Sequence, residues 1–591
     1  MPKERSEVKD NLKWDLSDIF ENREEFHKLL EKTEKNIDFS SFEGILGKRE
    51  ELLACFKKMD EVETSLEVLE VYAYMRKDLD TRDSSANADL SLAEDLAVKY
   101  SSSVSFVMPE LTSLSEEYLN GVIADESFKD YDYALKRVLA EKPHVLSKEC
   151  ENLLASGGKV FGGYHDVFTM INNADLPFPK IEVDGETVEV SHGTYGVLMQ
   201  SENRETREKA FKAYYNAFIS LINTISATYI GSVNTDVYFS KVRKYASCLE
   251  SALEREDVSK KVYDNLLESV DEALPLLHRY ISLRKKLLNF DEMHMWDVYV
   301  PLVENADIKL DYEDAFKLVK EGLKPLGEKY GELLQTAHDD GWIDVEETVG
   351  KRSGAYSICV YGLKHPFVLL NYQKTTNEVF TIAHELGHSI HSYKSDEAQP
   401  KAKADYKIFV AEVASTVNEV LLLKYLLKTT EDKNLKKYLL SYYLDMIRTT
   451  LFRQTMFAEF EYITHTAVEN GEPLTKDFLC KKYLALNEKY YGKDIVSDEE
   501  ISYEWARIPH FYTSFYVYKY ATGIISAISI AERIYEKGEE AVNDYFKFLS
   551  SGGSSSPTEL LKLAGVDLTE KEVYRSAMKS FENTLNEFEK I

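Results

Sequence analysis

The chain has 591 residues, 44% hydrophobic and 29% charged, ordinary proportions for a soluble globular protein with several domains' worth of core. Its 72 Lys and Arg against 102 Asp and Glu give a formal net charge of −30 spread along the sequence, which argues against nucleic acid or an anionic membrane surface as partner. The charged N-terminus offers no signal peptide, no apolar run nears the ~20 residues of a membrane span, and five scattered cysteines without a CxxC pair read as reduced thiols, so a soluble, cytoplasmic protein is expected.

Only 13 prolines and 26 glycines interrupt long Glu/Lys/Leu-rich stretches, the texture of a mainly α protein. Residues from about 15 to 155 read as consecutive amphipathic helices, with turns at Ser40–Gly44 and Asp80–Ser85. Apolar and polar residues then alternate over Lys180–Val190 around Asp184-Gly185, the signal of a two-stranded hairpin. Helical periodicity runs from about 203 to 331, broken at 292–300. A second non-helical patch covers Val349–Gln373, where Ile358–Tyr361 and Pro366–Tyr372 read as short strands. Thr375 with Glu378 three residues on forms a capping box that opens a helix. From Ile408 to Ile591 the pattern is helical again, broken at 470–473 and 550–557. No linker separates independent domains; the division expected is an N-terminal helical region, 1–200, and a metal-bearing region, 201–591, packed as one body.

The helix opened by Thr375 carries His384-Glu385-Leu386-Gly387-His388. Histidines four apart on a helix lie one above the other, about 6 Å apart along the axis, so both imidazoles can close on one Zn²⁺, and the glutamate is placed to act on metal-bound water. Chance alone puts two His and an acid at this spacing in about one such chain in twenty, so the context matters. A catalytic zinc takes three protein ligands. The three-histidine pattern fails, because Lys394 stands where its last His belongs. His391 reads as packing or support. Glu397 lies in a polar turn; Glu412 sits among small and apolar residues on a buried-looking helix, where an acid is costly unless paired or metal-bound. Glu412 is therefore the favoured third ligand, and Glu419, seven residues on and on the same face, either supports a ligating imidazole or is a surface charge.

The motif, followed by Phe409–Thr416, resembles the thimet-oligopeptidase-like metallopeptidases and, within them, the oligoendopeptidase F group. Trp14–Phe20, Gly350–Tyr356 and Arg507–Tyr512 carry further similarity, so the resemblance spans nearly the whole chain. It implies a two-lobed helical body enclosing a channel, a small β element beside the active helix, and one zinc per chain. His384, His388 and Glu412 would be its ligands and Glu385 the catalytic base. The implied activity is endopeptidase cleavage of short oligopeptides. A His and Tyr cluster facing substrate and oxyanion is carried over onto His510, Tyr518 and Tyr520, while Tyr512 and Tyr516 read as core. The strand at 366–372, if its edge is free, could pair with an extended peptide. Competing readings are a zinc carboxypeptidase or dipeptidyl carboxypeptidase, with Arg507 or Lys519 holding the substrate's carboxylate, and a catalytically inactive peptide-binding protein. Nothing in the sequence sets the oligomeric state.

Overall fold

The structure, a computed structural model, describes residues 3–303 and 308–591; residues 1 and 2, where the charged N-terminus begins, and 304–307, inside the stretch expected to be helical, lie outside the described residues. It is mainly α, as expected. The chain folds into two compact units, each assembled from three segments: Met1–Val145, Asp307–Lys428 and Ala527–Asp567 in the first, Leu146–Ala306, Thr429–Ser526 and Leu568–Ile591 in the second. A cut at residue 200 follows neither unit.

The N-terminal segment of the first unit contains a helical hairpin. Arg49–Leu79 turns at Asp80–Asp83 into Ser84–Ser103, which starts where the Asp83 carboxylate accepts from the amides of Ser85 and Ala86, a standard helix cap. Arg23–Asn36 lies against Arg49–Leu79, and Phe26, Phe39, Leu52, Leu66, Leu69 and Tyr72 form the shared core. Burying side chains of this size contributes about 1.5–3 kcal/mol each.

Further along, three short strands make one sheet in the order Ile343–Asp344, Phe367–Leu369, Tyr356–Ile358, the first pair parallel and the second antiparallel. Trp14, with Val71 and Met75, packs on Phe367 and Leu369, its ring edge-on to Phe367 at 6.0 Å. The expected edge strand at 366–372 is thus the central strand, hydrogen-bonded on both sides. It has no free edge for a peptide, because Ile343–Asp344 supplies a partner too short to show a periodicity. The edge strand toward the motif helix is Tyr356–Ile358, joined to it where the Ser357 and Ser389 hydroxyls meet at 2.8 Å.

Two helices carry the motif residues. Thr376–Ala398 starts at Thr375, whose hydroxyl accepts from the Glu378 amide at 3.3 Å, and Ile408–Thr429 packs against it. They meet at Gly387, where an added Cβ would stand 2.6 Å from the Ser415 Cα and 2.8 Å from the Ala414 oxygen. Backbone cannot yield as a flexible side chain can, so only glycine fits. Four residues back, Asn418 donates to the Ala383 carbonyl at 2.9 Å and accepts from the Tyr330 hydroxyl at 2.9 Å, all buried.

The second unit is built from Arg204–Ser220, Ile222–Val242, Lys260–Leu287, Lys433–Ile447, Arg453–Glu469, Lys476–Tyr491 and Lys571–Phe588. The hairpin expected near 180–190 belongs to it: Lys180–Val183 pairs antiparallel with Glu186–Glu189. Asp184 and Gly185 turn with φ of 51° and 84°, the two positive values a tight two-residue hairpin loop demands.

The Gly387 contact gives a direct test. Gly387→Ala should lower unfolding free energy by about 1–3 kcal/mol, the cost of overpacking a close contact, read from the denaturant midpoint. An unchanged midpoint would mean that the two helices are not in backbone contact there.

Candidate metal centre

His384 and His388 project from successive turns of Thr376–Ala398, and their Nε2 atoms lie 3.1 Å apart. Glu412, from the facing helix, brings its Oε2 to 3.3 Å from each. Among the described residues, these three side chains form a group of donors able to hold a metal ion. Two donors each 2.0–2.1 Å from a tetrahedral zinc are separated by about 3.3 Å, so the triangle has the size of one face of that tetrahedron. With the Glu412 side chain 46% exposed, the site opens to solvent, as a catalytic rather than a structural zinc site requires.

Glu419 settles which imidazole nitrogen faces inward. Its Oε1 lies 2.5 Å from His384 Nδ1, and a carboxylate only accepts, so Nδ1 carries the proton and Nε2 keeps its lone pair for a cation. Burial works against a charged His384, yet hydrogen bonds to Glu412 and Glu419 outweigh it and raise its pKa to about 10. Glu412 moves the opposite way: burial would raise its pKa, but hydrogen bonds from His384 and His388 hold it well below the carboxylate range.

Glu385, the residue after the first histidine, is 7% exposed. Burial raises its pKa, opposed chiefly by the charges of His384 and His388, and the Ser357 amide donates to it. An edge strand of the sheet therefore holds the carboxylate beside the donors. Sequence reasoning passed over Ser357, whose role arises only when strand and helix meet, and over Gly387 and Asn418, which set the helix spacing. Gly387 had a visible signal, being the small residue inside the motif.

The remaining expectations divide. His391 is buried, its ring stacked on Tyr406 at 3.8 Å between centroids, and burial drops its pKa to about 3; it packs. Glu397 is an exposed partner of Lys394. His510, exposed, lies in the second unit with Tyr520, whose hydroxyl is 3.4 Å from its Nε2. Tyr518 does not join them. It is 1% exposed, edge-on to Tyr263 at 5.3 Å, and so serves the core. In its place Tyr516, expected in the core, stacks on His510 at 5.9 Å. The register came from the family resemblance; here Phe515, with a φ of 55°, turns the chain just before the helix Tyr518–Lys537 begins, and Tyr518 is turned into the core. Tyr512 is a packing residue as expected, stacked on Phe168 at 4.3 Å.

The sequence model of Peptidase family M3 matches residues 197–580, and that of Oligopeptidase F matches 110–178. Oligopeptidase PepF of Bacillus subtilis (strain 168) is 42% identical over 100% of this chain and 88% of its own length. An oligoendopeptidase F homolog of Lactococcus lactis subsp. lactis is 40% identical over 100% and 99%. Among solved structures, one from Chlamydophila abortus superposes with a TM-score of 0.94 at 35% identity, covering 100% of this chain and 99% of that one. Oligoendopeptidase-F from Enterococcus faecium gives 0.73 at 36%, over 96% and 98%. A full-length match at this identity, together with the motif's geometry, identifies the chain as a member of peptidase family M3, a metalloendopeptidase of the oligoendopeptidase F group.

Proposed function

We propose that the chain is a zinc-dependent oligoendopeptidase that hydrolyses internal bonds of short peptides, with one zinc held by His384, His388 and Glu412. The observation that carries this reading is the donor triangle of 3.1, 3.3 and 3.3 Å, sized for a tetrahedral ion and beside a buried carboxylate. Two nitrogens and one carboxylate oxygen are also a zinc donor set rather than an all-oxygen site for calcium or magnesium. Zinc bound there would acidify water and polarise a peptide carbonyl.

The chain's own residues move the proton. Glu385 is ionised when it accepts, through a carboxylate oxygen, the proton of the water that attacks the carbonyl carbon. It then carries that proton to the departing amine nitrogen, so the bond breaks without expelling an amide anion. Its burial favours this second role, because a carboxyl group raised in pKa holds a proton more readily. Glu419 keeps His384 in the tautomer that presents Nε2. His510 and Tyr520 are proposed as hydrogen-bonding groups for the substrate, on the family resemblance and on the exposure of His510. Five free cysteines support placing this activity in a reducing compartment, the cytoplasm.

Glu385→Gln should retain stoichiometric zinc and lose about 10²–10⁴-fold in kcat, the usual share of general acid–base catalysis. Undiminished hydrolysis by the zinc-loaded variant would remove Glu385 from the role of base. Glu419→Gln should weaken zinc binding about 10–100-fold, since partners of a ligating histidine matter to that degree, and be rescued by excess zinc. Equal zinc retention by variant and parent in competition with a chelator would count against it. Peptides blocked at both ends should be cut internally; cleavage confined to peptides with a free C-terminus would turn the assignment to a carboxypeptidase.

A further inference from the structure

The second unit contains a cavity of about 480 Å³ whose wall includes His510, Tyr195, Tyr299, Phe457, Arg453 and Arg507. None of its lining residues is acidic, in a chain whose formal net charge is −30. The two guanidiniums share one carboxylate. Arg453 and Arg507 each donate through Nη2 to the same oxygen of Glu504, at 2.6 and 2.7 Å, while its other oxygen accepts from the Tyr483 hydroxyl at 2.6 Å. Glu504 is buried at 3% exposure. Burial would raise its pKa, but the two arginine charges hold it down at about 2. Two cations against one anion leave one positive charge over.

The arginines differ in what remains free. Arg507 also donates through Nε to the Tyr215 hydroxyl at 3.3 Å and lies within 5.6–5.8 Å of the rings of Tyr195, Tyr214 and Tyr215, so it is largely wedged in place. Arg453 sits over Phe457 at 4.4 Å, and among the described residues its hydrogen bond is the one to Glu504. A guanidinium has five N–H donors in a planar fork that matches a carboxylate. At 15% side-chain exposure on the cavity wall, Arg453 presents the rest of that fork to the interior. A surplus charge in an aromatic-walled cavity is costly unless an anion meets it.

We infer that this cavity is a carboxylate-binding subsite for peptides, with Arg453 as the recognising residue and Arg507 fixed beside it by the tyrosines. The carboxylate is either the C-terminus of the peptide or an Asp or Glu side chain. The inference rests on the peptide-hydrolysis reading above and adds to it a preference for which peptides are held.

The test compares one peptide ending in a free acid with the same peptide as its amide, and, with amidated ends, a Glu-containing peptide with its Gln counterpart. A KM about ten- to hundredfold lower for the acid of a pair, with kcat within about twofold, is the expected result, the usual worth of hydrogen bonds to a charged group. The pair that responds identifies the source of the carboxylate. Arg453→Gln should close the gap in KM between the acid and its partner, and Arg453→Lys, which keeps the charge without the fork, should leave an intermediate gap. Equal KM values within both pairs on the unaltered enzyme overturn the subsite, and that measurement needs no variant to fold. An Arg453→Gln effect of the same size on acid and neutral partner also overturns it. Calorimetric titration of Glu385→Gln with the same pairs separates the two levels. Tighter binding of the acid without hydrolysis by the parent enzyme would uphold the subsite and sink the peptidase reading. Hydrolysis without discrimination would do the reverse.

Discussion

The contact of Thr376–Ala398 with Ile408–Thr429 is the constraint on which the candidate metal centre depends. Two histidines on one helix can offer only two donors; the third must come from another backbone, and it must arrive within a few tenths of an ångström. Gly387 lets the helices touch backbone to backbone at Ser415, three residues beyond Glu412. Asn418 then ties the second helix to the Ala383 carbonyl, immediately before His384. One contact sets the separation and the other sets the register, and the carboxylate oxygen is brought to 3.3 Å from both imidazoles.

Around this contact the surrounding elements act as supports. Tyr330 holds the Asn418 side-chain oxygen, so the buried amide is satisfied at both ends, which a polar group in a core requires. Ser357 approaches from the sheet, its hydroxyl on Ser389 and its amide toward Glu385. Trp14 covers the other side of the same sheet through Phe367. The segments similar to the family outside the motif thus have physical roles: Trp14–Phe20 closes the sheet, and Gly350 takes a left-handed turn where an added Cβ would strike Asp80 at 2.3 Å.

The second unit applies the same economy to charge. Arginines are gathered in pairs on shared carboxylates, Arg204 and Arg207 on Asp297, Arg284 and Arg448 on Asp445, Arg453 and Arg507 on Glu504. What separates the last cluster is its position on a cavity free of acids, where its surplus charge is available to a ligand.

What the sequence determined by itself was whatever depends on neighbours along the chain. The spacing of His384 and His388 and the Asp184-Gly185 turn are set within a few residues, so they were legible as motifs and appear as read; of the capping box expected at Thr375, the bond from the Glu378 amide to the Thr375 hydroxyl is present. The helical character followed from composition over long windows in the same way. Tertiary structure decided the rest. Ile343–Asp344 is a strand only because Phe367–Leu369 lies beside it. Glu419 could have been a surface charge until His384 came within reach. The tyrosine register after His510, carried over from the family resemblance, failed because Phe515, bonded through its amide to the buried Glu461 and with a left-handed backbone, turns the chain in a way that no local pattern announces. Even the two units are interleaved in sequence, since compactness arises from packing in space, and the packing of distant segments leaves no periodic trace in either one.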